Sequence, residues 1–140
     1  MKILYETKAV STGGRDGKVQ VENSPLTFQM ALPTELGGSG KEGANPEQLF
    51  AAGYSACFGS ALQLVAGKMK LAIKSATVSA NISIGSDETG GFALAANLVI
   101  TLLGIDQATA DALVKEAHEV CPYSKATRGN IVVTLSTIVE

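Results

Sequence analysis

The chain has 140 residues and a net charge of −2 at pH 7; 46% of its residues are apolar, 17% charged and 5% aromatic. That length suits one domain over residues 1–140 with a sizeable core, and the charge balance offers no basic footprint for nucleic acid. So few polar residues are also compatible with one face being buried against a second copy.

The first elements read as a meander. Residues Lys2–Ser11 predict a strand, Gly13-Gly14-Arg15-Asp16-Gly17 a turn, and Lys18–Glu22 the returning strand. Asn23-Ser24-Pro25 turns the chain again, and Leu26–Leu32 predicts a third short strand. Arg15 sits at the tip of the glycine-rich turn, either as a plain solvated turn residue or as a cation free to reach elsewhere. The start, Met1-Lys2-Ile3-Leu4-Tyr5-Glu6, becomes charged too early for the apolar run of a signal peptide. A cytoplasmic protein is therefore expected, and in that compartment a cysteine pair is more often catalytic, sensing or metal-binding than structural. Pro33–Gly43 is a glycine-rich loop, and its stretch Gly37–Gly43 does not match the glycine-and-lysine pattern of a phosphate cradle.

Gly43–Lys68 is the centre of the chain. Asn45 can cap a helix, Pro46 suits its first position, and Glu47 complements the positive dipole end. From Leu49 to Ala66 nearly every face is small or apolar, which fits either a buried central helix or a membrane span. Ser55, Ser60 and Gln63 interrupt the run and no basic or aromatic anchors flank it, so a core helix is expected and no membrane partner. Lys74–Ile84 and Phe92–Leu103 then predict a strand pair around the turn Gly85–Gly91. Asp106 can cap a helix over Gln107–Val120, with Ala110, Leu113, Val114 and Ala117 on its buried face. Cys121-Pro122 ends it, because proline disfavours helical geometry in the residue before it. Asn130–Val139 is the last strand. Hairpins separated by helices indicate an α+β fold with antiparallel sheets packed on the central helix.

The chain holds two cysteines. Cys57, in the middle of the central helix, is either a small buried hydrophobe or a working thiol. Cys121, held at a helix boundary, can face a neighbouring element, and together they could form a peroxidatic and resolving pair. A thiolate attacks a peroxide oxygen, and the second thiol condenses the sulfenic acid into a disulfide. A nearby guanidinium lowers the usual thiol pKa of about 8.5. Arg15 is the candidate, with Glu47 able to hold it by a bidentate pair; a dipole-complementing helix start explains Glu47 as well. Ten residues separate Glu47 from Cys57, about 15 Å of rise in one straight helix. Either the helix breaks at Gly53, or the acid serves a site in another subunit.

Leu49, Phe50 and Phe58, with Tyr123, are candidates for an apolar substrate pocket beside Cys57; plain core packing is the other reading. Tyr123 and Ser124 can also hydrogen-bond near Cys121. A metal site from Cys57, Cys121 and His118 would lack a fourth ligand and close ligand pairs, so no metal is expected.

Three stretches resemble the organic hydroperoxide resistance proteins, thiol peroxidases related to osmotically inducible protein C. They are Gly13-Gly14-Arg15-Asp16-Gly17, the run Asn45-Pro46-Glu47-Gln48-Leu49-Phe50-Ala51-Ala52-Gly53-Tyr54-Ser55-Ala56-Cys57-Phe58, and Val120-Cys121-Pro122-Tyr123-Ser124-Lys125-Ala126-Thr127-Arg128-Gly129-Asn130. The resemblance implies an OsmC/Ohr-like intertwined homodimer with two active sites at the subunit interface. It implies Cys57 as the peroxidatic and Cys121 as the resolving cysteine, Arg15 as activator of the thiolate, and Glu47 as the residue that positions Arg15. Organic and fatty-acid hydroperoxides would be the substrates, a dihydrolipoyl-bearing protein or other dithiol the reductant, and no metal, haem or flavin is implied. Glycines around Arg15 further predict that its loop moves on oxidation. A non-catalytic redox sensor or lipid-like ligand carrier using the same cysteine pair is the alternative.

Overall fold

Two sheets and three helices make up the structure, a computed structural model that describes residues 1–140. The chain divides into two compact units, Met1–Leu49 and Phe50–Glu140.

The first unit is the expected meander. Strands β1 (Ala9–Thr12), β2 (Lys18–Val21) and β3 (Thr27–Gln29) pair antiparallel in that order. The first strand is shorter than Lys2–Ser11 because the ladder runs out of partner. Glu22 donates its N–H to the Lys8 carbonyl, and the chain then turns through Asn23 at φ 54°. Residues 1–7 belong to no strand or helix and are exposed, Ile3, Leu4 and Tyr5 among them. The third strand ends early for a different reason: Met30 leaves β2 and bridges in parallel to Ala44, just ahead of the central helix. Within the loop at Pro33–Gly43, residues Thr34–Leu36 form a 3₁₀ turn closed by Gly37.

Helix α1 (Pro46–Lys68) starts with a reciprocal cap. The Asn45 side chain accepts from the Gln48 amide at 2.8 Å, and the Gln48 side chain accepts from the Asn45 amide at 3.1 Å. The helix runs unbroken through Gly53, so the break considered above does not occur.

The second unit is built on strands β4 (Ser75–Ser86), β5 (Phe92–Leu103) and β6 (Val132–Val139), with helices α2 (Gln107–Val120) and α3 (Pro122–Thr127) between the last two. β4 and β5 form the expected hairpin, its tip fastened by Asp87, whose side chain accepts from the amides of Thr89 and Gly91. β6 pairs with β5 in parallel, which makes the sheet mixed. Parallel neighbours need a long crossover connection, usually helical, and α2–α3 supplies it. Alternate residues Ala96, Leu98, Ile100 and Leu102 of β5 point into one core with Tyr54, Phe58, Leu62 and Val65 of α1 and Leu113 and Val114 of α2. Each large side chain buried there stabilises the fold by about 1.5–3 kcal/mol. α1 is apolar on nearly every face but buries only one of them. Ala52, Ala56, Ser60 and Leu64, at i, i+4 spacing, are exposed.

Candidate active site

In the first unit the site residues are Arg15 and Glu47. Arg15 lies in a 3₁₀ turn, Gly14–Asp16, entered through Gly13 at φ 81° and Gly14 at φ 58°. Both values are left-handed and favour glycine. Gly17 is required by space, since a Cβ there would lie 1.8 Å from the Thr12 carbonyl oxygen. The turn is tied down by Asp16, which accepts from the Leu32 amide at 3.3 Å, and by Gln29, which donates to the Gly17 carbonyl at 2.8 Å. From it the Arg15 guanidinium reaches Glu47 as a two-pronged pair, Nη1 to Oε2 at 2.8 Å and Nη2 to Oε1 at 2.7 Å. The guanidinium holds the Glu47 carboxyl below its ordinary range, and the carboxylate raises Arg15 in turn. Such a fork fixes the direction of the cation as well as its charge.

In the second unit the site residues are the two cysteines. Cys57 is half-buried on α1 and Cys121 fully buried. Cys121 ends α2, donating its N–H to the Ala117 carbonyl, and its extended backbone (φ −63°, ψ 121°) lets α3 restart at Pro122. That corner brings Cys121 Sγ to 3.7 Å from Cys57 Sγ. Both thiols are free, and a disulfide needs an approach of about 1.7 Å further, to about 2.05 Å. Burial pushes the Cys57 thiol up; the Tyr123 backbone N–H beside the sulfur works in the opposite direction, and the neighbouring Cys121 adds to the rise.

The four pocket candidates separate. Phe58 is fully buried in the core, and Leu49 is half-buried at the end of the first unit. Phe50 and Tyr123 stack with ring centroids 6.0 Å apart, and Tyr54 closes the cluster at 5.8 Å from each. Gly53 makes room for this, because a Cβ there would meet the Tyr123 hydroxyl at 2.8 Å. Two surface cavities of about 480 Å³ lie elsewhere, one against β1–β3 beside Val10 and Gln29, the other beside Leu62 and Ile73. His118 joins neither cysteine in a group able to hold a metal ion. Its carbonyl accepts from Arg128 at 2.7 Å, and its Nδ1 is buried without a partner.

Sequence reasoning missed Tyr54 and Thr127. The Tyr54 hydroxyl is buried and hydrogen-bonds to Ser124 Oγ at 2.9 Å and Thr127 Oγ1 at 3.1 Å. The signal was available: a lone tyrosine on an apolar helix face needs a partner for its hydroxyl, and Ser124 and Thr127 stand three apart on one helix face.

The chain belongs to the OsmC-like proteins, whose family model matches residues 38–136. Within that family the chain belongs to the organic hydroperoxide resistance proteins. It is 48% identical over 136 residues to the organic hydroperoxide resistance protein of Xanthomonas axonopodis pv. citri, a match covering 96% of this chain and 95% of that protein. The crystal structure of such a protein from Elizabethkingia anophelis matches with a TM-score of 0.95 at 48% identity, over 100% of both chains. That of OhrB from Bacillus subtilis matches at 0.89 and 42% identity, over 96% of this chain and 99% of that one.

Proposed function

We propose that this protein is a cysteine-based peroxidase that reduces organic hydroperoxides, alkyl and fatty-acid alike, to alcohols. The observation that supports it most is the half-buried Cys57 with the buried Cys121 at 3.7 Å, in a chain whose relatives are named for organic hydroperoxide resistance. The Cys57 thiolate attacks the outer peroxide oxygen; the O–O bond breaks, and the alcohol leaves with a proton. The Cys57 sulfenic acid is then attacked by Cys121, which forms the disulfide and releases water. A dithiol, in the proposal a dihydrolipoyl group on a partner protein, reduces that disulfide by exchange. Burial alone would leave Cys57 a poor nucleophile. Arg15 supplies the cation that favours the thiolate, and Glu47 aims it. Phe50 and Tyr123 give the substrate an apolar approach. The protein acts in the cytoplasm, as a single-domain chain without metal, haem or flavin.

The active form in this proposal is an intertwined homodimer. The exposed stripe of α1 and the exposed Ile3, Leu4 and Tyr5 near the start of the chain both favour it. Because α1 is unbroken, Glu47 stays about 15 Å of helix rise from the Cys57 of its own helix. Each Cys57 is therefore served by the Arg15–Glu47 pair of the second copy.

The raised Cys57 thiol favours one other reading, a redox sensor or lipid-like ligand carrier oxidised once without turnover. Steady-state peroxidase turnover with dihydrolipoamide separates the two. Wild type is expected to consume an alkyl hydroperoxide faster than hydrogen peroxide, and Cys57→Ser to have no activity. Cys121→Ser is expected to allow one oxidation of Cys57 and then stall. Wild-type turnover by Cys57→Ser would overturn the peroxidase, and stoichiometric oxidation alone would install the sensor.

A further inference from the structure

We propose that Tyr54 is a positioning residue whose buried hydroxyl holds Cys121 in register with Cys57 for disulfide closure; this rests on reading the two cysteines as a redox pair. α3 has six residues, too few to be stable by itself. Its buried residues are Ser124 and Thr127, both polar, and the one side chain outside α3 that bonds to them is Tyr54.

The bonding pattern is consistent at every atom. Ser124 donates to Tyr54 Oη at 2.9 Å, Tyr54 donates to Thr127 Oγ1 at 3.1 Å, and Thr127 donates to the Tyr123 carbonyl at 2.8 Å. Each hydroxyl gives its one proton once.

The spacing ties this network to the thiols. Tyr54 precedes Cys57 by three residues on α1, and Cys121 precedes Ser124 by three. Tyr54–Ser124 and Cys57–Cys121 are therefore successive rungs between the same two segments, at 2.9 and 3.7 Å. The hydroxyl rung sets the start of α3 against α1, and Cys121 lies on the corner that begins α3. An unsatisfied buried hydroxyl is unfavourable, so the network resists displacement of that corner. Closure of the disulfide needs the sulfurs about 1.7 Å nearer, and a corner left loose samples that approach less often.

The test compares wild type, Tyr54→Phe, Ser124→Ala and Ser124→Ala/Thr127→Val. Reduced protein is oxidised either with diamide, which closes dithiols without peroxide chemistry, or with excess cumene hydroperoxide. In the diamide arm, Tyr54→Phe is expected to close the disulfide more slowly by on the order of tenfold. The Ser124→Ala/Thr127→Val protein is expected to match it, and adding Tyr54→Phe to that background to slow closure no further. In the hydroperoxide arm, mass spectrometry is expected to find more Cys57 trapped as sulfinic acid relative to disulfide in Tyr54→Phe. That ratio reports the second step and is independent of how fast the first occurs. Closure by Tyr54→Phe at the wild-type rate would overturn the inference, as would slowing that Ser124→Ala/Thr127→Val fails to reproduce. If Tyr54→Phe does not fold, Ser124→Ala alone decides, with closure slower than wild type expected and wild-type closure overturning. Wild type that closes with diamide but not with hydroperoxide would sink the peroxidase and leave the Tyr54 comparison standing.

Discussion

The Arg15–Glu47 fork carries two separable properties, a small stabilisation and an aimed charge. Glu47 is held below its ordinary range in the folded chain by the Arg15 side-chain hydrogen bonds. A carboxylate with a depressed folded pKa adds stability above its unfolded value of about 4.3, and that stability is lost as pH falls through the folded value. Glu47→Gln should therefore destabilise the protein at neutral pH by on the order of 1 kcal/mol or less, Arg15 being partly exposed. Urea titrations at a series of pH values should show the difference from wild type vanishing in acid. The aimed charge is read separately, by iodoacetamide alkylation of Cys57 in a Cys121→Ser background. If Arg15 supplies the cation, Arg15→Ala should move the alkylation midpoint to higher pH and slow the reaction at pH 7. An unshifted midpoint would take Arg15 out of thiolate activation and leave it a structural partner of Glu47.

Among the elements, α1 carries most of the consequences, and Gly53 shows how. A glycine inside a helix costs about 1 kcal/mol relative to alanine, so Gly53→Ala should gain stability on propensity alone. Here the added methyl meets the Tyr123 ring at 2.8–3.2 Å. The ring is then pushed from its stack on Phe50, and the two effects should nearly cancel in stability. The chain has three tyrosines and no tryptophan, and Tyr54 and Tyr123 both lie in this cluster. Near-ultraviolet circular dichroism should therefore change strongly in Gly53→Ala while the melting temperature barely moves; an unchanged spectrum would mean the ring has room that the structure does not show. Gly53 also marks how far the sequence could be read. α2, β5 and the cap at Asp106 were legible to the residue, because each rests on local chemistry. The pairing of Arg15 with Glu47 was legible because a fork needs only the two residue types. The parallel placement of β6, the restart of α3 and the use of Gly53 were not, since each depends on what a distant segment brings into contact. Tyr54 lay hidden for the same reason: its partners are seventy or more residues away.

For the whole molecule, the low charge of the chain and the exposed apolar face of α1 have one consistent explanation in the proposed homodimer, and that dimer makes a demand a monomer would not. If each Cys57 takes its cation from the second copy, a chain lacking Arg15 and a chain lacking Cys57 are both inactive, yet they complement. In a mixed dimer, the Arg15→Ala chain offers an intact Cys57 to the intact Arg15 of the Cys57→Ser chain. The other site of that dimer has neither group. Equal amounts of the two variants, unfolded and refolded together, should give mixed dimers as half of the population, each with one working site of two. Recovered turnover should then be about a quarter of wild type per chain, if subunits pair at random. Each variant refolded alone should stay inactive, and light scattering should show a dimer throughout. If both variants are inactive alone and the mixture is inactive as well, each site takes Arg15 and Cys57 from the same chain, and the bent route excluded by an unbroken α1 would have to be found elsewhere in the fold.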